Sequence, residues 1–189
     1  MLITSPDSQP VIDLTRQWLE AAVIGLNLCP FAKAVHMHGQ VRYAVSDATD
    51  KDVLLRDLHA ELTTLDAADP QLLDTTLLIH PYAMADFFDY NGFLQSAQQA
   101  LESLRLDGSI QIASFHPQYQ FADCDVDAIE NYTNRAPFPT LHLLRESSVA
   151  RAVAANPDAS TIYQRNIATL ERLGIAGWDA LAIGHDSMP

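Results

Sequence analysis

The sequence has few positive charges for its length. Its 189 residues include 11 Lys and Arg against 24 Asp and Glu, which gives a formal net charge of −13. Such a charge repels the phosphates of nucleic acids and of anionic lipids unless basic residues cluster locally. The basic residues are scattered, and their densest stretch, from Arg135 to Arg151, is interrupted by Glu146. We therefore expect binding to neither nucleic acid nor membranes.

Cysteines and long apolar runs are also scarce. The two cysteines, Cys29 and Cys124, are too few for a disulfide framework, and we expect both to be thiols. The first ten residues, MLITSPDSQP, lack the basic start and the apolar run of a secretory signal, and no stretch approaches the length of a membrane span. These features predict a cytoplasmic protein.

Hydrophobic residues make up 48% of the chain, which is enough for one sizeable core. Apolar periodicity predicts strands at 41–46, 75–80, 109–115 and 140–145. It predicts helices at 10–24, 50–65, 86–106, 125–132, 147–155 and 160–173. This alternation indicates a single α/β domain over residues 1–189, with its core at 10–180. We expect about four strands in a mostly parallel or mixed sheet, with helices packed on it.

Two of the predicted strands end in the same dipeptide, His-Pro. His80 follows TTLLI, and His116 follows SIQIASF. If these strands are parallel neighbours, about 4.8 Å apart, their carboxyl ends lie side by side at the edge where open α/β sheets bind ligands. We therefore expect the two imidazoles to meet there as acid/base or ligand-contacting groups. The alternative is that each histidine is simply hydrogen-bonded at the end of its strand.

Further polar residues are expected at the same edge. The fourth strand ends in Arg145 and Glu146, and Ser147 would cap the next helix, whose free amides favour an anion. Just before that strand lie Asn134 and Arg135; the arginine could clamp an anion or cap the carbonyls of the preceding helix. The set predicts a pocket for a small anionic molecule, with both arginines as its clamps.

Cys29 lies in LNLCPFA, directly after the first predicted helix. The carbonyl end of a helix raises a thiol's pKa, which favours a buried structural role over a catalytic or ligand-contacting one. Cys124 lies among aspartates in DCDVD, and we assign it no role.

Metal binding is a further alternative. The histidine spacings of familiar zinc motifs are missing, so no cofactor is predicted, although His80 and His116 could hold a divalent metal. His36 and His38 are two residues apart, yet a solvated loop explains them better. His142 lies between leucines and is interpreted as a hydrogen-bonded core histidine.

Three functions from different classes follow from these patterns. The first is an enzyme or ligand-handling protein for a small anionic metabolite, in which Tyr119 or Glu146 orients the histidines. The second is a non-enzymatic interaction or accessory protein, with a metal-binding protein as the third. The second would use an aromatic partner surface formed by Phe87, Phe88, Tyr90, Phe115 and Tyr119. The oligomeric state stays open.

Several stretches together resemble one known family. They are VIGLNLCPFAKAV, TTLLIHP, ASFHPQYQFA, IENYTNRAPFPTLHLLRE and RNIATLERLG. They resemble the uncharacterised bacterial domain-of-unknown-function family with the serial fourteen-fifteen, across residues 10–180. The resemblance implies a soluble single-domain protein without an established activity, and it supplies no catalytic residues. The chain has Asp123 where the family usually has glycine, which disfavours a close backbone approach to a ligand, and Ala136 where it usually has serine.

Overall fold

The structure is a computed structural model that describes residues 8–155 and 161–183. The helices are α1 (Ser8–Trp18), α2 (Ala32–Met37), α3 (Lys51–Ala67), α4 (Phe87–Leu104), α5 (Glu146–Ala155) and α6 (Ile162–Asp179). The strands are β1 (Val41–Val45), β2 (Thr75–Ile79), β3 (Ile110–Phe115) and β4 (Thr140–Arg145). A π-helical segment (Leu19–Ile24) continues α1, and a 3₁₀ turn (Ile129–Thr133) precedes β4.

The four strands form one mixed sheet in the order β1-β2-β4-β3. β1 and β2 are parallel, whereas β4 runs antiparallel to both of its neighbours. The α/β class and the mixed sheet are thereby confirmed. β2 and β3 are not adjacent, because β4 lies between them. β2 and β3 nevertheless run in the same direction, so their carboxyl ends share one edge.

One face of the sheet is closely packed. Helix α3 begins at Asp50, whose carboxylate accepts the backbone N–H groups of Asp52 and Val53. Its leucines recur at helical spacing and turn one stripe towards the sheet. The fully buried leucines of this layer come from the helices and the strands alike: Leu54, Leu58, Leu62, Leu65, Leu78, Leu141 and Leu143. Helix α4 completes the layer with Phe93, Ala97 and Leu101.

The opposite face is covered less evenly. Helix α1 packs Val11 and Leu14 against Leu77 and Ile79, so its cover lies towards the carboxyl end of β2. Near the amino end of β2, the cover comes from α2 and α5, and neither helix has a fully buried residue. Their apolar residues are mostly alanine and valine, which are too short to fill the space above the sheet.

Several predicted boundaries differ from the structure. Helix α2 was not predicted, and the helix expected at 125–132 is the short 3₁₀ turn. The last helix was expected to stop before Gly174, but α6 continues to Asp179 across a kink where Gly174 adopts a left-handed φ of 66°. The predicted start of that helix, at 160, lies outside the described residues. Within the described ranges, the structure contains no helix with the length and apolarity needed to cross a membrane.

Candidate functional site

The carboxyl edge of β2 and β3 brings the two predicted histidines together. His80 follows β2, His116 follows β3, and both imidazoles contact the ring of Tyr90. The ring centroids of His80 and Tyr90 are 5.7 Å apart, and those of His116 and Tyr90 are 5.1 Å apart. The Tyr90 hydroxyl donates to the Thr140 carbonyl between them, at 2.8 Å.

Both histidines are sealed within the protein, each with 0% exposure. His116 lies 3.0 Å from the Met84 carbonyl through Nε2, and its Nδ1 accepts the Gln118 N–H at 3.0 Å. His80 lies 3.1 Å from the Ala83 carbonyl through Nδ1, while its buried Nε2 has no partner among the described residues. Burial lowers the pKa of His80 to about 4 and lowers the pKa of His116, so both rings are neutral near pH 7.

Three of the other residues expected at this edge, Arg145, Glu146 and Ser147, lie elsewhere. Because β4 is antiparallel, Arg145 and Glu146 emerge at the opposite edge from the histidines. The Arg145 guanidinium donates to the carbonyls of Leu65, Ala68 and Leu73, and so caps the end of α3 instead of offering an anion clamp. Helix α5 begins at Glu146, which places the exposed Ser147 inside the first turn and not at the cap.

Asn134 and Arg135 both support the loop that follows β3. The Asn134 amide donates to the Ser114 carbonyl at 3.1 Å. The Arg135 guanidinium donates to Val126 and Tyr119 carbonyls at 2.7 and 3.3 Å. Arg135 therefore bonds to backbone carbonyls, although it also lines a small cleft of about 280 Å³.

A large cavity lies on the loosely covered face of the sheet, at the amino end of β2 and along β3. Its volume is about 1270 Å³. The ligand pockets of proteins usually hold roughly 300–1,000 Å³, so the space is large enough for a small molecule. Neither His80 nor His116 lines it.

Each wall of the cavity comes from a different element. The floor is the sheet, with Thr75, Leu77, Gln111, Ala113, His142 and Leu144. One end is formed by Trp18, Leu19 and Val23 of α1 and the π-helical segment. The remaining walls come from Pro30, Phe31 and Val35 around α2, and from Val149 and Ala152 of α5. The lining is mainly apolar, and π-helical segments are frequent at functional sites.

Strand alternation explains why these residues share the floor. In the pairing of the sheet, Leu77 is opposite His142, and His142 is opposite Ala113. Side chains at directly paired positions lie on the same face. The next residue of β4, Leu143, faces the packed layer instead. A single strand therefore sends Leu143 into the core and His142 into the cavity.

His142 is the polar residue at the centre of this floor. Its Nε2 lies 2.7 Å from the hydroxyl oxygen of Thr75, and that oxygen lies 2.6 Å from the Leu143 carbonyl. Burial lowers the pKa of His142 to about 4, so the imidazole is neutral near pH 7. The interpretation as a core histidine holds for one ring nitrogen only, because no described residue bonds to Nδ1.

A chain of polar side chains lies at the rim. The hydroxyl of Ser148 donates to the carboxylate of Asp74 at 2.5 Å, and Arg151 donates to the Ser148 oxygen at 2.8 Å. Asp74 is buried, whereas Arg151 is exposed. The three side chains form hydrogen bonds with one another. The positive charge of Arg151 is therefore engaged at the rim and does not point into the cavity.

Cys29 also lines the cavity and is half-buried. Burial raises the pKa of its thiol above the ordinary value, so the group is protonated near pH 7. The second cysteine, Cys124, has its Sγ 3.1 Å from Glu130, and that contact raises its pKa as well. Neither cysteine is prepared as a thiolate nucleophile, although Cys29 can contact a ligand.

The aromatic partner surface does not form as expected. Tyr90 is fully buried, and Phe115 packs edge-on against Trp18 at 5.2 Å between ring centroids. Tyr119 is half-buried between Phe87 and Phe121. Only Phe88 of the expected set is largely exposed, at 79%.

A metal centre finds no support in the described parts of the chain. There, no group of three or more His, Cys, Asp or Glu side chains is placed to hold a metal ion. His36 forms a 3.1 Å contact with Glu20, while His38 is exposed at the end of α2. The two histidines therefore do not act as a pair.

The cavity residues were missed because each looks ordinary in the sequence. Thr75, Gln111 and His142 are polar residues inside strands, and Ala113 is a small one. All four belong to the same face once the register is known. An interior strand face that carries polar and small residues is the signal that could have been used, but it requires the antiparallel position of β4.

The fold and the site together define an α/β protein with an open cavity on one face of a mixed sheet. A family model matches residues 10–180, and the chain belongs to that family, described as a protein of unknown function, DUF1415. The resemblance seen in the sequence is thereby confirmed. Among curated proteins and among solved structures, no similar protein was found.

Proposed function

We propose that the protein binds a small organic molecule in the cavity above the sheet. The observation that carries this proposal is a space of about 1270 Å³, mainly apolar, with His142 on its floor. Apolar surface left open in this way costs free energy, roughly 25 cal/mol per Å², which a bound apolar molecule recovers. Convergent polar groups in an apolar cavity are typical of sites that orient a ligand.

The carboxyl edge is not proposed as the site. A ligand there would need to reach His80 and His116, and both have 0% exposure. The two arginines expected to hold an anion use their guanidinium groups on backbone carbonyls. In place of the small anionic metabolite expected from the sequence, we therefore propose a ligand that suits an apolar space. A cytoplasmic location and the lack of nucleic-acid binding stay proposals, supported by the net charge of −13.

A substitution that fills the cavity from its floor tests the proposal. Ala113 is half-buried on the floor, so Ala113→Phe places a ring in the space. The matched control is Ala60→Phe, an exposed position of α3 on the other side of the sheet. We expect Nile red, a neutral apolar dye, to bind the wild-type protein and the control, as measured by its fluorescence.

With Ala113→Phe, dye affinity should fall at least about tenfold while the circular dichroism spectrum stays native. Equal dye binding by the two variants would contradict the proposal, because the dye would then sit elsewhere. Failure of the wild-type protein to bind any apolar probe would contradict it as well. A ligand found by thermal-shift screening should stabilise the wild-type protein and the control but not Ala113→Phe.

A further inference from the structure

The hydrogen bonds of Thr75 fix the tautomer of His142. A hydroxyl has one proton, and a carbonyl has none to donate. The 2.6 Å contact between Thr75 Oγ1 and the Leu143 carbonyl therefore uses the threonine proton. The second contact, 2.7 Å to Nε2 of His142, requires the proton to be on the imidazole. In the neutral ring, Nδ1 then carries a lone pair and no proton.

This lone pair is left without a partner. No described residue donates to Nδ1, and His142 lines the cavity. Around it the floor is apolar or small, with Leu77 and Ala113 at the paired positions of the neighbouring strands. A largely apolar ligand that covers this acceptor without donating to it would leave it unpaired, at a cost of about 1–3 kcal/mol. A ligand that donates a hydrogen bond there avoids that cost.

The charges around the cavity decide against an anion. Asp69 and Asp74 come from the segment before β2, and α5 contributes one cation, Arg151. That cation already donates to Ser148, which donates in turn to Asp74. His38 lies on the α2 side and is exposed. A carboxylate or phosphate would meet a lone pair on the floor and net negative charge at the rim.

A row of aromatic rings beside the cavity, formed by Trp18, Phe115 and His142, adds a preference for ligands with flat rings. Phe115 lies with its ring centroid 6.0 Å from that of His142 and 5.2 Å from that of Trp18. All three residues line the cavity. Aromatic pairs gain about 0.5–1.5 kcal/mol beyond the burial of their area, so a ring in the ligand would add to this row.

We propose that the cavity takes a neutral, largely apolar ring compound that donates one O–H or N–H hydrogen bond to Nδ1 of His142. This inference rests on the proposed function, because it requires the cavity to be a binding site. His142 is the contact that selects the ligand. Thr75 is a positioning residue, since it acts by holding the proton of the imidazole on Nε2.

Three probes that share one ring system test the inference. They are 2-naphthol, which can donate a hydrogen bond, 2-methoxynaphthalene, which cannot, and 2-naphthoate, which is an anion. Their affinities are measured by displacement of Nile red from the wild-type protein. We expect 2-naphthol to bind about tenfold more tightly than 2-methoxynaphthalene, as one additional hydrogen bond implies, and 2-naphthoate to bind most weakly.

Three variants test whether His142 and Thr75 cause the preference for 2-naphthol. His142→Phe keeps a ring of similar size, so the preference for 2-naphthol should vanish while 2-methoxynaphthalene keeps its affinity. Thr75→Val removes the hydroxyl that fixes the tautomer and should reduce the preference, whereas Thr75→Ser should restore it. Nitrogen-15 NMR of the wild-type imidazole is independent of whether these variants fold. It should show Nε2 protonated and Nδ1 unprotonated.

The outcomes separate this inference from the proposed function. Equal affinity for the three probes, tightest binding of 2-naphthoate, a preference that survives His142→Phe, or a protonated Nδ1 would each overturn the inference. In those cases dye binding that is lost in Ala113→Phe would leave the proposed function standing. If the wild-type protein binds neither the dye nor any probe, the proposed function fails, and the inference fails with it.

Discussion

The two faces of the sheet differ in what covers them. On one face, α3 places leucines at 0% exposure against the strands, α4 adds Phe93, Ala97 and Leu101, and the layer is closed. On the other, the six residues of α2 and the ten residues of α5 include none that is fully buried, and a cavity of about 1270 Å³ remains. The difference follows from side-chain size, because alanine and valine cannot reach as far as leucine.

The polar groups of the two faces also differ. On the packed side, Arg42 makes a bidentate contact with the buried Glu61 at 2.7 and 3.0 Å, although the buried hydroxyl of Thr76 has no partner among the described residues. On the cavity side, His142 keeps one ring nitrogen without a partner among the described residues. A protein that is stabilised mainly through one face can leave the other open for a ligand.

The largest expected effect comes from truncating two adjacent leucines of β4. Leu143 is fully buried in the packed layer, whereas Leu144 is half-buried at the cavity. Leu143→Ala should lower the free energy of unfolding by about 3 kcal/mol, because it leaves a void in a closed layer. Leu144→Ala should lower it by only about 1 kcal/mol. Denaturant unfolding monitored by circular dichroism measures both, and equal losses would remove the contrast between the faces.

A second effect, of similar size for each histidine concerned, comes from acid. His80 has its pKa lowered from 6.5 to about 4 by burial. The unfolded chain therefore binds a proton first as the pH falls, so the free energy of unfolding decreases from pH 6.5 to about 4 and levels off below. The contribution of His80 is about 3 kcal/mol over that window. His142, whose pKa is also lowered to about 4, adds to it in the same direction.

His80→Asn tests this prediction, since asparagine does not titrate and its amide can replace the donor to the Ala83 carbonyl. Its free energy of unfolding should depend less steeply on pH between 6.5 and 4 than that of the wild-type protein. An unchanged slope in His80→Asn would show that the buried imidazole is not the group that titrates.

The sequence predicts the elements better than their arrangement. Periodic leucines locate α3 and the apolar run locates β2, because both are local patterns. The insertion of β4 between β2 and β3 depends on long-range pairing and has no local signal. The antiparallel direction of β4 has no local signal either, and it puts Arg145 and Glu146 at the opposite edge from the one expected.

The candidate site was harder to predict than the fold. The meeting of His80 and His116 at one edge follows from strand direction, and the structure places both rings against Tyr90. Their complete burial depends on loops and on α4, which the pattern of residues does not reveal. The cavity arises where helices fail to fill space, and no motif marks such a place. His142 becomes informative only when the register puts it beside Thr75.

Xenon binding tests the contrast between the faces most directly, because xenon enters apolar cavities and leaves closed layers unoccupied. We expect a crystal of the protein under xenon pressure to show ordered xenon above Ala113 and His142, and none between Leu143 and α3. Side-chain density that fills the space above Ala113, or xenon in the leucine layer instead, would contradict the account.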